Sequence, residues 1–332
     1  MTRRTNKILI SAVAAGGILL ILVLITIGVL QEGANRKDPF RITFVSKTID
    51  ESNDFWTALL EGAQMGAEEM GAEIKVVGGT AEDDYETQNQ LIKKSIEEGP
   101  DALLIAPCSY DKTTPLIQEA VNRGITVILI DSVVDQDVAN GIVATDNHHA
   151  GRELGSYTKE LLRPNSKIGI VAHVKNSSTA LERENGIREG LGGDAEKIKE
   201  VVYCNSSYQL AESITKEMLI KHPDMDIIIG TNEYAAVGAA QAVKSMNKEN
   251  QVKIVGFDNS VEEIQLLEAG LFKGMVIQKP FNMGYLGIEQ AIKVLKGYPI
   301  EYSLDSGCQL ITKENMYEDE NQKLLYPVLG QN

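Results

Sequence analysis

Three well-separated apolar runs in this 332-residue chain each stop on a small polar side chain: 125–130 at Asp131, 227–231 at Asn232, and 252–257 at Asp258. Buried parallel strands read as continuous runs of Val, Ile and Leu, and open α/β sheets bind ligands just beyond the carboxyl ends of those strands. The pattern predicts a parallel-sheet fold in which Asp131, Asn232 and Asp258 face a common cleft.

The segments between these runs repeat one rhythm. A strand over 41–46 leads to a helix cap at Asn53 or Asp54, then to a helix that buries Phe55, Leu59, Gly62, Ala63, Gly66 and Met70 and stops at Gly71. A strand over 73–77 precedes a helix with Leu91, Ile92 and Ile96 inward, closed by Gly99-Pro100. Strand 102–106, a helix around 117–121 and strand 125–130 follow. From Asp146 the rhythm restarts, with helices over about 150–162, 179–191 and 209–221 and strands at 167–172, 199–203, 227–230 and 252–256. Strand–helix repetition of this kind predicts doubly wound α/β architecture. The strands are too many for one sheet of ordinary size, so two similar lobes of roughly 130–150 residues are expected, with ligand between them.

The 47 acidic and 32 basic residues leave a net charge of −15, which repels phosphate backbones and argues against nucleic-acid binding. Residues 8–30 are uncharged and, as a helix, span about 34 Å, enough to cross a bilayer. Arg3, Arg4 and Lys7 flank this segment, so the positive-inside rule places the short N-terminus in the cytoplasm and the rest outside. A cleavable signal peptide is the competing reading. Its apolar core normally runs about 7–15 residues before a small-residue cleavage site, which Gly28-Val29-Leu30-Gln31 does not supply, so an uncleaved anchor in the cell membrane is favoured. No cysteine stands near the segment's end to take a lipid. Residues 31–40 read as a polar linker to the globular body.

Asn53, Phe55 and Trp56 open the first helix at the cleft end of the sheet. An aromatic face against the C–H side of a sugar, with an amide for its hydroxyls, suits a neutral polyhydroxylated ligand, although helix-end packing explains the rings equally. Asp131, Asn232 and Asp258 offer strong acceptors for adjacent hydroxyls or, alternatively, helix caps. Arg183, in Leu181-Glu182-Arg183-Glu184-Asn185-Gly186, reads by spacing as a solvated arginine on a charged helix face.

Catalytic and cofactor signals are absent from the sequence. His148, His149, His173 and His222 include no pair at i, i+4, and Cys108, Cys204 and Cys308 form neither a metal motif nor a disulfide framework. There is no dinucleotide or Walker glycine loop and no Gly-x-Ser-x-Gly. Neither an enzyme nor a bound cofactor or metal is expected; the enzyme alternative would be an NAD- or sugar-phosphate-using α/β protein.

From Arg41 to Glu314 the chain resembles the type I periplasmic binding proteins, the ribose- and galactose-type solute receptors. Four motifs carry the resemblance in order and spacing. They are Asn53-Asp54-Phe55-Trp56 leading into Leu60-Glu61-Gly62-Ala63, Gly99-Pro100-Asp101-Ala102-Leu103-Leu104-Ile105, Ala144-Thr145-Asp146-Asn147, and Val255-Gly256-Phe257-Asp258. The resemblance implies that Phe55 and Trp56 sandwich a sugar ring while Asn53, Asp131, Asn147, Arg183, Asn232, Asp258 and Gln278 bond its hydroxyls. It also implies a three-crossing hinge near 145–146, 278–279 and 307, dividing the chain into an N-terminal lobe of 41–145 plus 279–307 and a C-terminal lobe of 146–278 plus 308–332.

Two departures bear on the ligand. Asp131 is followed by Ser132 where ribose receptors resemble one another in having arginine, and Cys204-Asn205-Ser206-Ser207 lacks an aromatic found there in that subgroup. Polar groups set for one pattern of hydroxyls reject another, which argues against ribose and leaves another pentose or a hexose. The expectation is an extracytoplasmic monosaccharide receptor that presents its closed form to a membrane partner, either an ABC sugar permease or a sensor histidine kinase. LacI-like repressors share the fold but begin with a helix-turn-helix, in whose place stands the apolar segment.

Overall fold

β1 (Arg41–Thr48) is buried from its second residue to its last and pairs in parallel with β2 (Glu73–Gly79) on one side and β3 (Ala102–Ile105) on the other. β4 (Thr126–Ile130) and β5 (Gly141–Ala144) continue the sheet, and β11 (Ser303–Asp305) closes its far edge, giving the order β11-β5-β4-β3-β1-β2. The computed structural model that shows this describes residues 38–326. Residues 8–30, and with them the expected anchor, lie outside the described residues, among which no helix is long and apolar enough to cross a membrane.

A second sheet repeats the plan with β6 (Ile168–Ala172), β7 (Ile198–Tyr203), β8 (Ile227–Gly230), β9 (Lys253–Phe257), β10 (Phe272–Gln278) and β12 (Cys308–Thr312), in the order β12-β10-β9-β8-β6-β7. The sixth strands differ: β11 runs parallel to β5, whereas β12 runs antiparallel to β10. Every residue of β3, β4, β6 and β8 is buried, because helices cover both faces of each sheet. Phe44, Leu59 and Ile128 pack one face of the first sheet and Val45, Ile92 and Leu103 the other. The chain passes between the sheets after β5, after β10 and between β11 and β12.

Helix boundaries follow their caps. α1 (Asp54–Met70) begins at Asn53, whose Oδ1 accepts from the Trp56 N–H at 3.1 Å, and ends on Gly71 at φ 68°. α2 (Tyr85–Glu98) and α3 (Thr114–Asn122) flank β3 in sequence. α4 (Asn147–Glu160) starts about three residues earlier than the apolar spacing predicts, because Asp146 Oδ1 caps the His149 N–H at 2.9 Å. α5 (Ser178–Leu191), α6 (Tyr208–Lys221), α7 (Glu233–Ser245) and α8 (Val261–Glu268) alternate with the second sheet, and α9 (Pro280–Leu295) and α10 (Asp319–Leu325) follow the second and third passages.

Two helix pairs meet backbone to backbone. A Cβ on Gly62 of α1 would stand 1.9 Å from the Phe281 carbonyl oxygen of α9, and one on Gly186 of α5 would stand 2.1 Å from the His148 carbonyl oxygen of α4. The second contact matters for the site, because it seats α5, and with it Arg183, deep against the rest of its lobe.

Candidate functional site

Strands β1, β4, β6, β8, β9 and β10 all end at one gap between the lobes. The gap holds a cavity of only about 30 Å³, lined by Lys47, Asn53, Phe55, Trp56, Glu82, Asp131, His173, Thr179, Arg183, Asn232, Tyr234, Asp258 and Gln278. That is well below the roughly 300–1,000 Å³ of ligand pockets, so a ligand of one small ring needs the lining side chains or the lobes to part.

The lobes are closed over it. Asn53 Nδ2 donates to Glu233 Oε2 at 2.9 Å, Ser206 Oγ to Glu82 Oε2 at 2.6 Å, and Tyr234 OH to Asp50 Oδ2 at 3.0 Å. Backbone groups join as well: Tyr110 N–H donates to the Asn176 carbonyl at 2.9 Å and Val133 N–H to Ser178 Oγ at 2.9 Å.

Eight of the nine sequence candidates line the cavity. Arg183, which spacing alone would leave in solvent, is 2% exposed. Its Nε donates to Asn147 Oδ1 at 2.8 Å, its Nη1 to the Thr231 carbonyl at 2.7 Å, and its guanidinium lies 4.4 Å from the Phe257 ring centroid. Asn147 is the ninth, and the structure places it one layer back. Its Oδ1 is taken by Arg183 and its Nδ2 by the Thr145 carbonyl at 3.0 Å, so it positions the arginine and does not face the cavity.

Asp258 Oδ1 accepts from Gln278 Nε2 at 2.7 Å and Oδ2 from the Glu233 N–H at 2.9 Å. Gln278 Oε1 in turn accepts from Thr145 Oγ1 at 2.9 Å. Asn232 caps α7, as its alternative reading allowed, and its Nδ2 reaches Ser206 Oγ at 3.3 Å. Phe55 and Trp56 do not sandwich anything between them. Their rings stand edge to face, 5.1 Å between centroids and 88° between planes, because neighbouring helix positions point about 100° apart. They form two adjoining walls.

Sequence reasoning missed Lys47, Glu82, His173, Thr179 and Tyr234. Lys47 is the one with a signal: a lysine at the seventh position of an otherwise uncharged buried strand interior. Its Nζ lies 2.7 Å from Asp131 Oδ2 with both side chains no more than 5% exposed. Burial pulls its pKa down, but Asp131 and Glu82 outweigh that and raise it, so Lys47 is charged. Ser132 Oγ donates to the same Asp131 oxygen at 2.7 Å. Lys47 thus puts a cation on Asp131 from a different strand.

Glu82 comes from the loop after β2 and bridges the cleft: Trp56 Nε1 donates to its Oε1 at 2.6 Å and Ser206 donates to its other oxygen. Burial raises its pKa, opposed by Lys47 and the two hydrogen bonds. Burial likewise raises Asp258, opposed by Arg183 and Gln278. His173 bonds Thr231 Oγ1 and Thr179 Oγ1, each at 2.8 Å, and burial with Arg183 and Lys47 nearby holds its pKa well below the usual value, so the ring is neutral. Two fixed cations face three carboxylates of which two are pushed toward protonation. Charge is nearly balanced inside the cavity, a setting for a neutral polar ligand and a poor one for an ion.

An interlobe cavity at the carboxyl ends of two like-ordered parallel sheets defines a two-lobed binding protein. Residues 42–299 match the periplasmic binding protein domain, and the chain belongs to that family, which is extracytoplasmic. It is 28% identical over 273 residues to the D-ribose/D-allose-binding protein of Pseudomonas aeruginosa, covering 80% of this chain and 85% of that one. Its fold matches a sugar transporter crystal structure from Clostridium phytofermentans at 45% identity and a TM-score of 0.79, over 82% of this chain and 99% of that one. An ABC transporter solute-binding protein from Agrobacterium vitis with bound D-fucose matches at 26% identity and a TM-score of 0.81, over 86% and 100% of the two chains. All three are described as sugar-binding, sugar-transport or solute-binding proteins.

Proposed function

We propose that this protein is a receptor for a single neutral monosaccharide, a pentose or hexose other than ribose, held in the interlobe cavity. The observation that carries the reading is the cavity's composition: Asp131, Asp258 and Glu82 as acceptors, Lys47, Arg183, Asn53, Asn232 and Gln278 as donors, and Phe55 and Trp56 as an apolar wall. Each carboxylate oxygen can accept from a sugar hydroxyl while a charged donor beside it serves the next oxygen. The stretch Cys204-Asn205-Ser206-Ser207, without an aromatic, and Ser132 beside Asp131 are what set the reading against ribose.

The passages at 145–146, 278–279 and 306–307 serve as the hinge, with 41–145 plus 279–307 and 146–278 plus 308–332 moving as the two lobes. Ligand drives closure only by binding the closed form more tightly, and the Glu82–Ser206 and Asn53–Glu233 bonds, made across the cleft, exist in that form alone. The closed form is presented to a membrane partner while residues 8–30 hold the receptor to the outer face of the cell membrane as a single span. Of the two partners open at the sequence level, we put forward the ABC permease, in line with the description of the A. vitis relative, over the histidine kinase.

A thermal-shift screen against pentoses, hexoses, sugar phosphates and nucleotides tests this reading. Ligand binding to the folded form raises the apparent Tm, by about 2.7 kcal/mol of stabilisation at a hundredfold excess over Kd. A rise with a neutral monosaccharide supports the proposal; a rise confined to nucleotides or sugar phosphates rejects it.

A further inference from the structure

His149 and Glu153 stand one turn apart on the same face of α4, and Cys308 begins β12 opposite them. One donor atom from each lies within 4.8 Å of the other two. The individual separations are 3.6 Å from His149 Nε2 to Glu153 Oε1 and 4.0 Å from Cys308 Sγ to Glu153 Oε2. Ligand atoms on a tetrahedral zinc-type ion, with bonds of roughly 2.0–2.3 Å, sit roughly 3.3–3.8 Å apart. Of the two separations, 3.6 Å lies within that range and 4.0 Å just above it, each to a different oxygen of Glu153. The three groups come from two separate segments, and all are partly buried with solvent on one side. None of them lines the sugar cavity.

We infer that His149, Glu153 and Cys308 form a three-ligand site for a borderline-soft divalent cation of the Zn²⁺ class, with water in the fourth position. The donor set is nitrogen, carboxylate oxygen and thiolate sulfur, which selects against Mg²⁺ and Ca²⁺. A thiolate and a carboxylate neutralise a dication, so the loaded site carries no net charge. Loading releases the Cys308 thiol proton to solvent, because the thiolate is the ligand.

It also moves the imidazole proton. Arg152 Nη2 lies 3.0 Å from His149 Nδ1, so that nitrogen now accepts and Nε2 carries the hydrogen. On loading, Nε2 takes the metal, the proton sits on Nδ1, and Arg152 swings to Glu189, whose Oε1 is already 3.6 Å from its Nη1. The ion would tie the start of α4, just after the first passage between lobes, to Cys308, just after the third. It would fasten both strands to the C-terminal lobe immediately beside Gly307, which turns the chain at φ 82°.

The test is a titration of the chelator-treated full chain with Co²⁺, followed by displacement with Zn²⁺. The expected result is one Co²⁺ per chain with a thiolate-to-cobalt charge-transfer band that Zn²⁺ bleaches. Cys308→Ser abolishes the band, and His149→Ala and Glu153→Gln each weaken binding by roughly tenfold or more. Cys108 and Cys204, both buried, give no band of their own. Alkylation of the unmutated protein is a second readout that needs no variant: Zn²⁺ protects Cys308. Absence of the band, its survival in Cys308→Ser, or alkylation of Cys308 unchanged by Zn²⁺ overturns the assignment.

Discussion

Asp131 and Asp258 occupy the same place in the two lobes. Each follows the fourth strand of its sheet, each has a left-handed backbone, φ 64° and 78°, and each donates its N–H to the carbonyl of a valine in the next strand at 3.0 Å, Val143 and Val276. A non-glycine residue held in this region costs on the order of 1 kcal/mol or more, with Asp among the types that tolerate it best. The strain turns the chain so that each carboxylate enters the cleft from its own lobe.

For Asp258→Asn we expect the sugar Kd to rise about tenfold to a hundredfold, since a charge-assisted hydrogen bond is worth about 1.5–3 kcal/mol. The Tm falls modestly, because the amide sets an N–H group against one of two donors, Gln278 Nε2 or the Glu233 N–H. Calorimetry and a melting curve on the same sample check both halves.

Lys47→Met leaves Asp131 buried without its cation and should cost about 3–5 kcal/mol of stability. Lys47→Met with Asp131→Leu should recover most of that loss while binding no sugar. Denaturant unfolding of the two variants decides, and a double variant no more stable than the single one contradicts the pairing.

The strand ends were legible because a buried parallel strand has to be apolar along its length and its ligand residue must come directly after. That is why Asp131, Asn232 and Asp258 could be placed from sequence. Arg183 was not legible from spacing: its helix face looks solvated, and only the tight α4–α5 contact and the Phe257 ring show that it is inside. The resemblance supplied it. Glu82 was invisible, since it lies in a loop whose path across the cleft depends on both lobes. Asn147 was placed with the ligand contacts by the same resemblance, yet its side chain bonds Arg183 and the Thr145 carbonyl and is not among the residues that line the cavity.

Glu233 gives the pH dependence. Burial, with Asp258, Asp54 and Glu82 adding to it and the Tyr208 hydroxyl opposing, pushes its carboxyl up to about 8. A raised folded pKa means that the folded state holds a proton the unfolded chain releases. The stability it contributes is therefore complete below about 4.5 and is lost as pH rises toward 8, by up to about 1.4 kcal/mol per pH unit for one proton. Glu233→Gln should remove this slope, so the variant gains on the parent protein between pH 5 and 8 in unfolding experiments. A variant with the parent's slope would rule Glu233 out as its source.

Gly62→Ala tests the α1–α9 contact. With 1.9 Å available to the new Cβ against a backbone oxygen, the helices must separate. Overpacking of this kind costs typically about 1–3 kcal/mol, and because α1 carries Asn53, Phe55 and Trp56, sugar affinity should fall along with the Tm. Loss of stability with unchanged affinity would show that the helix shift stops short of the cavity.

The most direct measurement is a calorimetric titration of the protein with the monosaccharide that gives the largest thermal shift, repeated with Arg183→Ala. The account predicts one site per chain in the parent and at least a hundredfold weaker binding in the variant, whose far-ultraviolet circular dichroism is unchanged. Equal affinity in parent and variant would contradict it.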